Sequence, residues 1–344
     1  MASPDVTGRA WRLRGPRAGP VLSGGSPSLG CMGTSVVNTD VVSTDVVSTD
    51  VADAATPGGT VTLPTPVRGS LSPSRASDFK TCPLLYRFRS IDRLPQRPTR
   101  AATRGTLVHA VLERLFDLPS GERTVAAAAD LLAPEWARLV DGAPELAALF
   151  ADEAELTTWL ESSRALVGNY FALEDPTRLE PAEREQLVEV VLDSGLRLRG
   201  YVDRLDVAPT GAIRVVDYKT GAAPREAFEG KALFQLKFYA LVLWRTRGEV
   251  PRLLRLMYLG DREVLDYAPD VDELRRFERT LQSLWAAIDR ATTAQDFRPN
   301  PSKLCGWCDH QALCPAFGGT PPPFPVPTAV APATEPPATP AEED

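Results

Sequence analysis

Two segments of the sequence place acidic and basic side chains at spacings that suit chemistry on a phosphate group. Asp203 lies in the segment GYVDRLD, and Asp217 and Lys219 lie in the segment VVDYKTG. If the hairpin between the segments turns at Thr210, Asp203 falls opposite Asp217, with β-carbons about 5 Å apart. Lys219 points to the same face as Asp217 because side chains alternate along a strand. Two carboxylates and one ammonium therefore share one face of a predicted sheet.

This grouping predicts a metal-dependent hydrolase. Two carboxylates at this distance repel each other unless a cation lies between them, and hard oxygen ligands suit Mg²⁺ or Mn²⁺. Such a cation can activate water and neutralise charge on a phosphate, and Lys219 can orient the attacking water or stabilise the transition state. The alternative is an ordinary hairpin with solvated or paired charges. We prefer that alternative for Asp206, which would lie opposite Arg214 as an ion pair.

The two segments resemble the D…(D/E)-x-K signature of PD-(D/E)XK nucleases, and their setting is similar to the RecB branch. The resemblance covers residues 74–317 and departs from the family pattern at Val202, where the first motif has proline. It implies a restriction-endonuclease-like core and an exonuclease that hydrolyses ester bonds in DNA with Mg²⁺ or Mn²⁺. It also implies a role in DNA repair or recombination and a substrate that is single-stranded or has free ends.

Three more candidate residues follow from this resemblance. His109 matches the family's upstream helix histidine, which completes the metal site with Asp203 and Asp217. Gln235 and Tyr239 match the family's Q-x-x-x-Y element, so they join the hairpin residues as candidate catalytic residues. The alternatives are a structural histidine and a satisfied polar pair inside an otherwise apolar helix.

Four of the five cysteines predict a second site. Cys82 lies upstream of the hairpin, while Cys305, Cys308 and Cys314 form a C-x₂-C-x₅-C group after the last predicted helix. In a cytoplasmic protein such spacing indicates metal binding rather than disulfides, and four thiolates can hold Zn²⁺ or a [4Fe–4S] cluster. One cysteine before the core and three after it resembles the layout of AddB-type and CRISPR-associated RecB-like nucleases. We therefore predict a [4Fe–4S] cluster, with zinc as the alternative, and regard Cys31 as incidental.

The order of predicted elements gives the fold class. Glycine-containing turns are predicted at residues 193–195 and 209–211. The predicted elements are helices at 74–88 and 105–118, a helical insert at about 120–172, strands at 186–192, 196–205 and 213–219, a buried helix at 233–244, strands at 253–259 and 263–267, and a helix at 271–291. This order predicts an α/β fold of the mixed α+β kind, with a central mixed sheet flanked by helices.

Composition divides the chain into three parts. Residues 72–317 form the predicted nuclease domain, with the cysteine cluster of residues 305–314 near its end. Residues 1–71 are rich in Gly, Ser, Thr, Pro and Asp and include the tandem repeat VVNTD-VVSTD-VVSTD. Residues 318–344 are rich in Pro and Ala. We predict that both ends are disordered.

Charge and hydropathy limit the partners. The net charge of −7 includes four carboxylates in the C-terminal tail, and local basic patches can still bind DNA. Arg75, Lys80, Arg87 and Arg89 are candidates for phosphate contacts, and the alternative is a charged helix face that is only solvated. No P-loop is present, so ATP-driven unwinding would need a helicase partner. The chain has neither a run of about 18 apolar residues nor a signal peptide, so we predict a cytoplasmic protein that does not enter membranes.

Two other classes of protein fit parts of this pattern. One is a non-catalytic DNA-end-binding or scaffold protein with the same fold and metal cluster. The other is a zinc-stabilised interaction module. The presence of Asp203, Asp217 and Lys219 together favours the enzyme, because a protein without activity does not need all three.

Overall fold

The computed structural model describes residues 67–223 and 229–325. The chain divides into two compact units. Within the described residues the first unit comprises residues 67–77 and 97–287, and the second comprises 78–96 and 288–325. The VVSTD repeat and most of both predicted disordered ends lie outside the described residues.

A six-stranded mixed sheet forms the centre of the first unit. Its strand order is β1-β3-β4-β5-β6, and β2 also pairs with β3. The β1/β3 and β4/β5 pairs are parallel, and the other pairs are antiparallel. The strands are β1 (Gly69–Leu71), β2 (Glu183–Val191), β3 (Leu196–Val207), β4 (Ile213–Lys219), β5 (Leu253–Tyr258) and β6 (Glu263–Tyr267). The predicted mixed sheet is confirmed, although β1 lies inside the range 1–71 for which disorder was predicted.

The two hairpins that carry the acidic residues turn where glycines permit it. Gly195 and Gly211 have φ angles of 81° and 86°, in the left-handed region that glycine adopts without steric cost. The β3/β4 register pairs Arg204 with Val216 and Asp206 with Arg214. This is the predicted register, and it brings Asp203 next to Asp217.

The predicted cross-strand ion pair is confirmed and belongs to a larger buried group. Arg214 Nη2 lies 2.7 Å from Asp206 Oδ2 and 3.0 Å from Glu174 Oε1. Arg204 Nη2 lies 2.7 Å from the other oxygen of Glu174. All four side chains are at least nine-tenths buried. Buried charges need such partners, so this group is structural.

Eight α-helices lie within the described residues. They are α1 (Pro73–Thr81), α2 (Pro83–Tyr86), α3 (Arg100–Leu115), α4 (Val125–Asp130), α5 (Leu132–Gly142), α6 (Glu153–Leu173), α7 (Glu229–Arg247) and α8 (Val271–Ala294). The apolar stripe of α3 packs with the insert helices against Val216 and Tyr218 of β4. α7 packs on β2, β3 and β5. None of the helices within the described residues is both long and apolar enough to cross a lipid bilayer.

The single helix predicted over residues 74–88 is wrong. The chain breaks between α1 and α2 at Cys82, which is extended with φ −160° and ψ 116°. Pro83 causes the break, because proline disfavours helical backbone in the residue before it and donates no N–H. A π-helical turn, Arg87–Ile91, follows α2.

One part of the insert is strongly acidic. Residues 125–161 contain eight acidic residues and one basic residue, a net −7 that equals the formal charge of the whole chain. The remainder of the chain is therefore neutral overall. The negative net charge of the chain therefore does not argue against binding of a polyanion outside residues 125–161.

Candidate active site

Strand β4 and helix α7 bring four of the predicted residues into one hydrogen-bonded group. Lys219 Nζ lies 2.5 Å from Asp217 Oδ2 and donates to Gln235 Oε1 at 3.0 Å. The Gln235 amide donates to Asp217 Oδ1 at 2.9 Å and to the Tyr239 hydroxyl at 3.1 Å. Gln235 and Tyr239 are one helical turn apart, so both face the strand. The Q-x-x-x-Y element therefore contacts the D-x-K element directly.

Asp203 is held on the neighbouring strand by the backbone of β4. Its Oδ2 accepts a hydrogen bond of 2.6 Å from the Tyr218 N–H. The Tyr218 carbonyl accepts one of 3.0 Å from His109 Nε2 on α3. His109 Nδ1 lies 3.5 Å from Asp203 Oδ2. The backbone of one residue, Tyr218, thus holds both the carboxylate and the imidazole.

Glu185 on β2 also lies at this site, and sequence reasoning missed it. Its Oε1 is 3.6 Å from His109 Nδ1. One ligand atom each from His109, Glu185 and Asp203 lie within 4.8 Å of one another. A signal was present, because a turn centred on Ser194 sets Glu185 opposite Asp203. The flanking pairs, Arg184 with Arg204 and Gln186 with Val202, have that register.

The backbone at Glu185 is unusual for its residue type. Its φ is 43°, in the left-handed region that costs a non-glycine residue on the order of 1–3 kcal/mol. Strain of this kind persists where the surroundings hold it, and it often accompanies function. Here it accompanies a carboxylate that faces His109.

Burial and neighbouring charges shift the pKa values of the residues in this site. Burial by itself lowers the pKa of His109, but the charges of Asp203, Glu185 and Asp217 outweigh it and raise that pKa to about 9. Burial and the neighbouring Asp217 raise the pKa of Asp203 above its ordinary value. For Lys219, burial opposes the ammonium, yet the adjacent Asp217 raises its pKa. Without a metal ion, the site therefore retains protons at neutral pH.

Two neighbouring residues, Arg204 and Gly200, support the positions of Tyr218 and Tyr239. The Tyr218 hydroxyl accepts a 2.8 Å hydrogen bond from the buried Arg204. This bond anchors Tyr218, whose backbone N–H and C=O bind Asp203 and His109. At Gly200 a Cβ would lie 2.9 Å from the Tyr239 ring. Glycine at this position leaves room for that ring.

The second unit gathers the four predicted cysteines around one pocket. Its lining residues include Cys82, Cys305, Cys308 and Cys314. Backbone N–H groups donate to two of the sulfurs at 3.3 Å, from Asn300 to Cys82 Sγ and from Ser302 to Cys305 Sγ. The residues that bear these thiols come from two chain segments far apart in sequence.

Two of the predicted phosphate-binding residues form ion pairs within the second unit. Arg87 is 8% exposed, and its Nε lies 3.0 Å from Asp92 Oδ2. Arg89 Nη1 lies 2.9 Å from Asp78 Oδ1. Arg87 is therefore buried against an internal carboxylate and does not contact DNA, whereas contact of the partly exposed Arg89 with DNA stays a prediction.

Comparison with known proteins gives a family match for most of the chain. The sequence profile of the PD-(D/E)XK nuclease superfamily matches residues 70–315. The gene 69 protein of Mycobacterium phage D29 is 27% identical over 278 residues, covering 72% of this chain and 96% of the phage protein. The gene 69 protein of phage L5 is 24% identical over 287 residues, with the same coverage of 72% and 96%. A crystal structure from Eubacterium rectale, provisionally named an exonuclease, aligns with 70% of this chain and 86% of its own at a TM-score of 0.48 and 15% identity.

Proposed function

Since this chain belongs to the PD-(D/E)XK nuclease superfamily, we propose that it is a RecB-like exonuclease that hydrolyses phosphodiester bonds in DNA. Its substrate has single strands or free ends, and its biological setting is repair or recombination, with a separate helicase if unwinding is needed. The observation that carries the proposal is the convergence of three carboxylates, one imidazole and one ammonium. Those groups are Asp203, Asp217, Glu185, His109 and Lys219.

The donor set fits Mg²⁺ or Mn²⁺. Carboxylate oxygens suit both ions, and one imidazole is compatible with Mn²⁺. His109, Glu185 and Asp203 offer ligand atoms close together, and Asp217 lies on the adjacent strand. The chemistry that such a cation supplies when bound is activation of water and neutralisation of charge on the phosphate.

Lys219 acts as a proton donor in hydrogen bonds and not as a base. Its raised pKa keeps Nζ protonated at neutral pH. An ammonium has three N–H donors, and the contacts with Asp217 and Gln235 use two of them. The third can contact a phosphate oxygen as negative charge develops in the transition state. Gln235 and Tyr239 fix the direction of this group and are positioning residues.

Loss of a metal ligand at His109 or Glu185 should raise the metal concentration that cleavage requires. We expect His109→Ala and Glu185→Gln each to increase the Mn²⁺ concentration for half-maximal cleavage by about tenfold or more, because each loses a ligand while Asp203 remains. Glu189→Gln is the matched control, since Glu189 lies on the same strand and is exposed. Unchanged titrations for both variants would show that His109 and Glu185 are structural.

Metal affinity should rise with pH. A metal ion binds the neutral imidazole, whereas the pKa of about 9 keeps His109 protonated at pH 7. Binding must therefore release a proton, and affinity should increase by up to about tenfold per pH unit for each proton displaced. Measurement of Mn²⁺ binding between neutral and mildly alkaline pH checks this without any cleavage assay. His109→Ala should flatten the slope, and an equally steep slope in that variant would contradict the assignment.

We also propose that the cysteine pocket holds a [4Fe–4S] cluster, with zinc as the alternative. Four thiols line one pocket of the second unit, and two sulfurs receive backbone N–H groups. Hydrogen bonds to the sulfurs are among the factors that tune such clusters. The role proposed is mechanical, because Cys82 and the three C-terminal cysteines belong to the two chain segments that make up this unit.

A further inference from the structure

Trp307 is the most exposed large apolar side chain among the described residues. It lies between Cys305 and Cys308 and is 88% exposed. Two other apolar side chains of the second unit, Leu304 and Phe317, are 52% and 51% exposed. An indole in water contributes almost nothing to packing, so the fold itself does not explain Trp307.

The segment that carries Trp307 is held in a defined conformation. It forms the 3₁₀ helix Lys303–Trp307, whose first turn is capped by the Ser302 hydroxyl, which accepts from the Leu304 N–H at 3.2 Å. The Cys308 N–H donates to the Cys305 carbonyl at 3.1 Å, and the Gln311 side chain donates to the same carbonyl. An aromatic ring on such a segment can bind a ligand with little loss of backbone entropy.

Basic residues flank the cysteine pocket in sequence. The described residues of the second unit contain seven Lys and Arg against five Asp, in a chain whose net charge is −7. Lys80, Arg298 and Lys303 are exposed, and each is next in sequence to a residue that lines the cysteine pocket. Exposed aromatic and cationic side chains together suit a ligand with flat rings and negative charge.

We propose that Trp307 is a stacking platform for the bases of a single-stranded nucleic acid. Basic side chains that contact phosphates and aromatic rings that stack on bases are the usual means of binding single strands without sequence preference. Lys303, in the same 3₁₀ helix, supplies charge. Arg298 supplies it too, because its side chain is 84% exposed although its Nε lies 3.1 Å from Asp296 Oδ2. The inference rests on the proposed function, because it takes nucleic acid as the substrate, and it adds a substrate-binding residue on the second unit.

The binding test uses the full chain, fluorescein-labelled oligothymidylate and EDTA, so that no cleavage occurs. Stacking on one base contributes roughly 1–3 kcal/mol, so Trp307→Ala should weaken binding by about 5- to 150-fold. Trp307→Phe should retain most of the affinity. Val264→Ala, which shortens an exposed apolar residue on β6, is the control and should bind like the original chain. Unchanged melting temperatures would show that both Trp307 variants fold normally.

An oligonucleotide of abasic sites separates stacking from other effects. The original chain should bind oligothymidylate more tightly than the abasic strand, and Trp307→Ala should abolish this difference. Equal affinity of Trp307→Ala and the original chain for oligothymidylate would overturn the inference, as would an undiminished preference for bases in the variant. Binding by Trp307 in a chain that cleaves no DNA would refute the nuclease proposal while supporting this one.

Discussion

Replacing Asp217 or Lys219 with alanine should lower the rate of DNA cleavage by about a thousandfold or more, equivalent to several kcal/mol of barrier. Both side chains act on the transition state more than on bound substrate, so DNA binding should be largely retained. Single-turnover cleavage with a labelled oligonucleotide measures the first effect, and fluorescence anisotropy measures the second. Lys237→Ala is the matched lysine control, since Lys237 lies on α7 and pairs with Glu273 outside the site.

Folding must be controlled in these variants. Asp217 is 1% exposed and pairs with the partly exposed Lys219, so removal of Lys219 leaves a buried carboxylate without its partner and is destabilising. Asp217→Asn keeps the shape of the side chain and its contact with Gln235, so it separates loss of charge from loss of packing. A thermal melt identifies any variant that fails to fold. Near-normal turnover by a folded Asp217 or Lys219 variant would refute the proposed site.

Loss of any one of the four pocket cysteines should remove colour and stability together. A [4Fe–4S] protein prepared without oxygen is brown, absorbs broadly near about 400 nm and contains about four irons per chain. A cluster joining Cys82 to Cys305 closes a very long loop, which in the chain-entropy model contributes roughly 4–5 kcal/mol. Alanine at Cys82, Cys305, Cys308 or Cys314 should therefore bleach the protein and lower its melting temperature.

Cys31 provides the control, because it lies outside the described residues and is separate in sequence from the C-x₂-C-x₅-C group. Cys31→Ala should keep both the colour and the melting temperature. Stoichiometric zinc without iron in protein prepared anaerobically would replace the cluster with the zinc alternative. That result would leave the proposal for Asp203, Asp217 and Lys219 unaffected.

Turn and alternation patterns in the sequence were sufficient to predict the hairpin that carries Asp203 and Asp217. The glycine turns at residues 193–195 and 209–211 set the register, and alternation along β4 set the common face of Asp217 and Lys219. The contacts of Gln235 and Tyr239 required the family resemblance as well. An apolar helix alone does not show which strand its few polar side chains will face.

The remaining features depend on an unusual backbone conformation, on contacts between distant segments or on a local signal that the pattern did not isolate. Glu185 reaches the site through a left-handed backbone that glutamate rarely adopts. Arg87 and Arg89 looked available for DNA, but tertiary structure pairs them with Asp92 and Asp78. The helix break at Cys82 was readable from Pro83, and the apolar residues around it obscured the signal.

The most direct test of the nuclease proposal is a time course with end-labelled single-stranded DNA and the purified full chain, with Mn²⁺ or with EDTA. Lys219→Ala protein prepared in parallel controls for contaminating nucleases. The original chain should release short labelled products with Mn²⁺ and none with EDTA, and the variant should release almost none. Intact DNA in the presence of Mn²⁺, or equal degradation by the original chain and Lys219→Ala, would contradict the nuclease proposal.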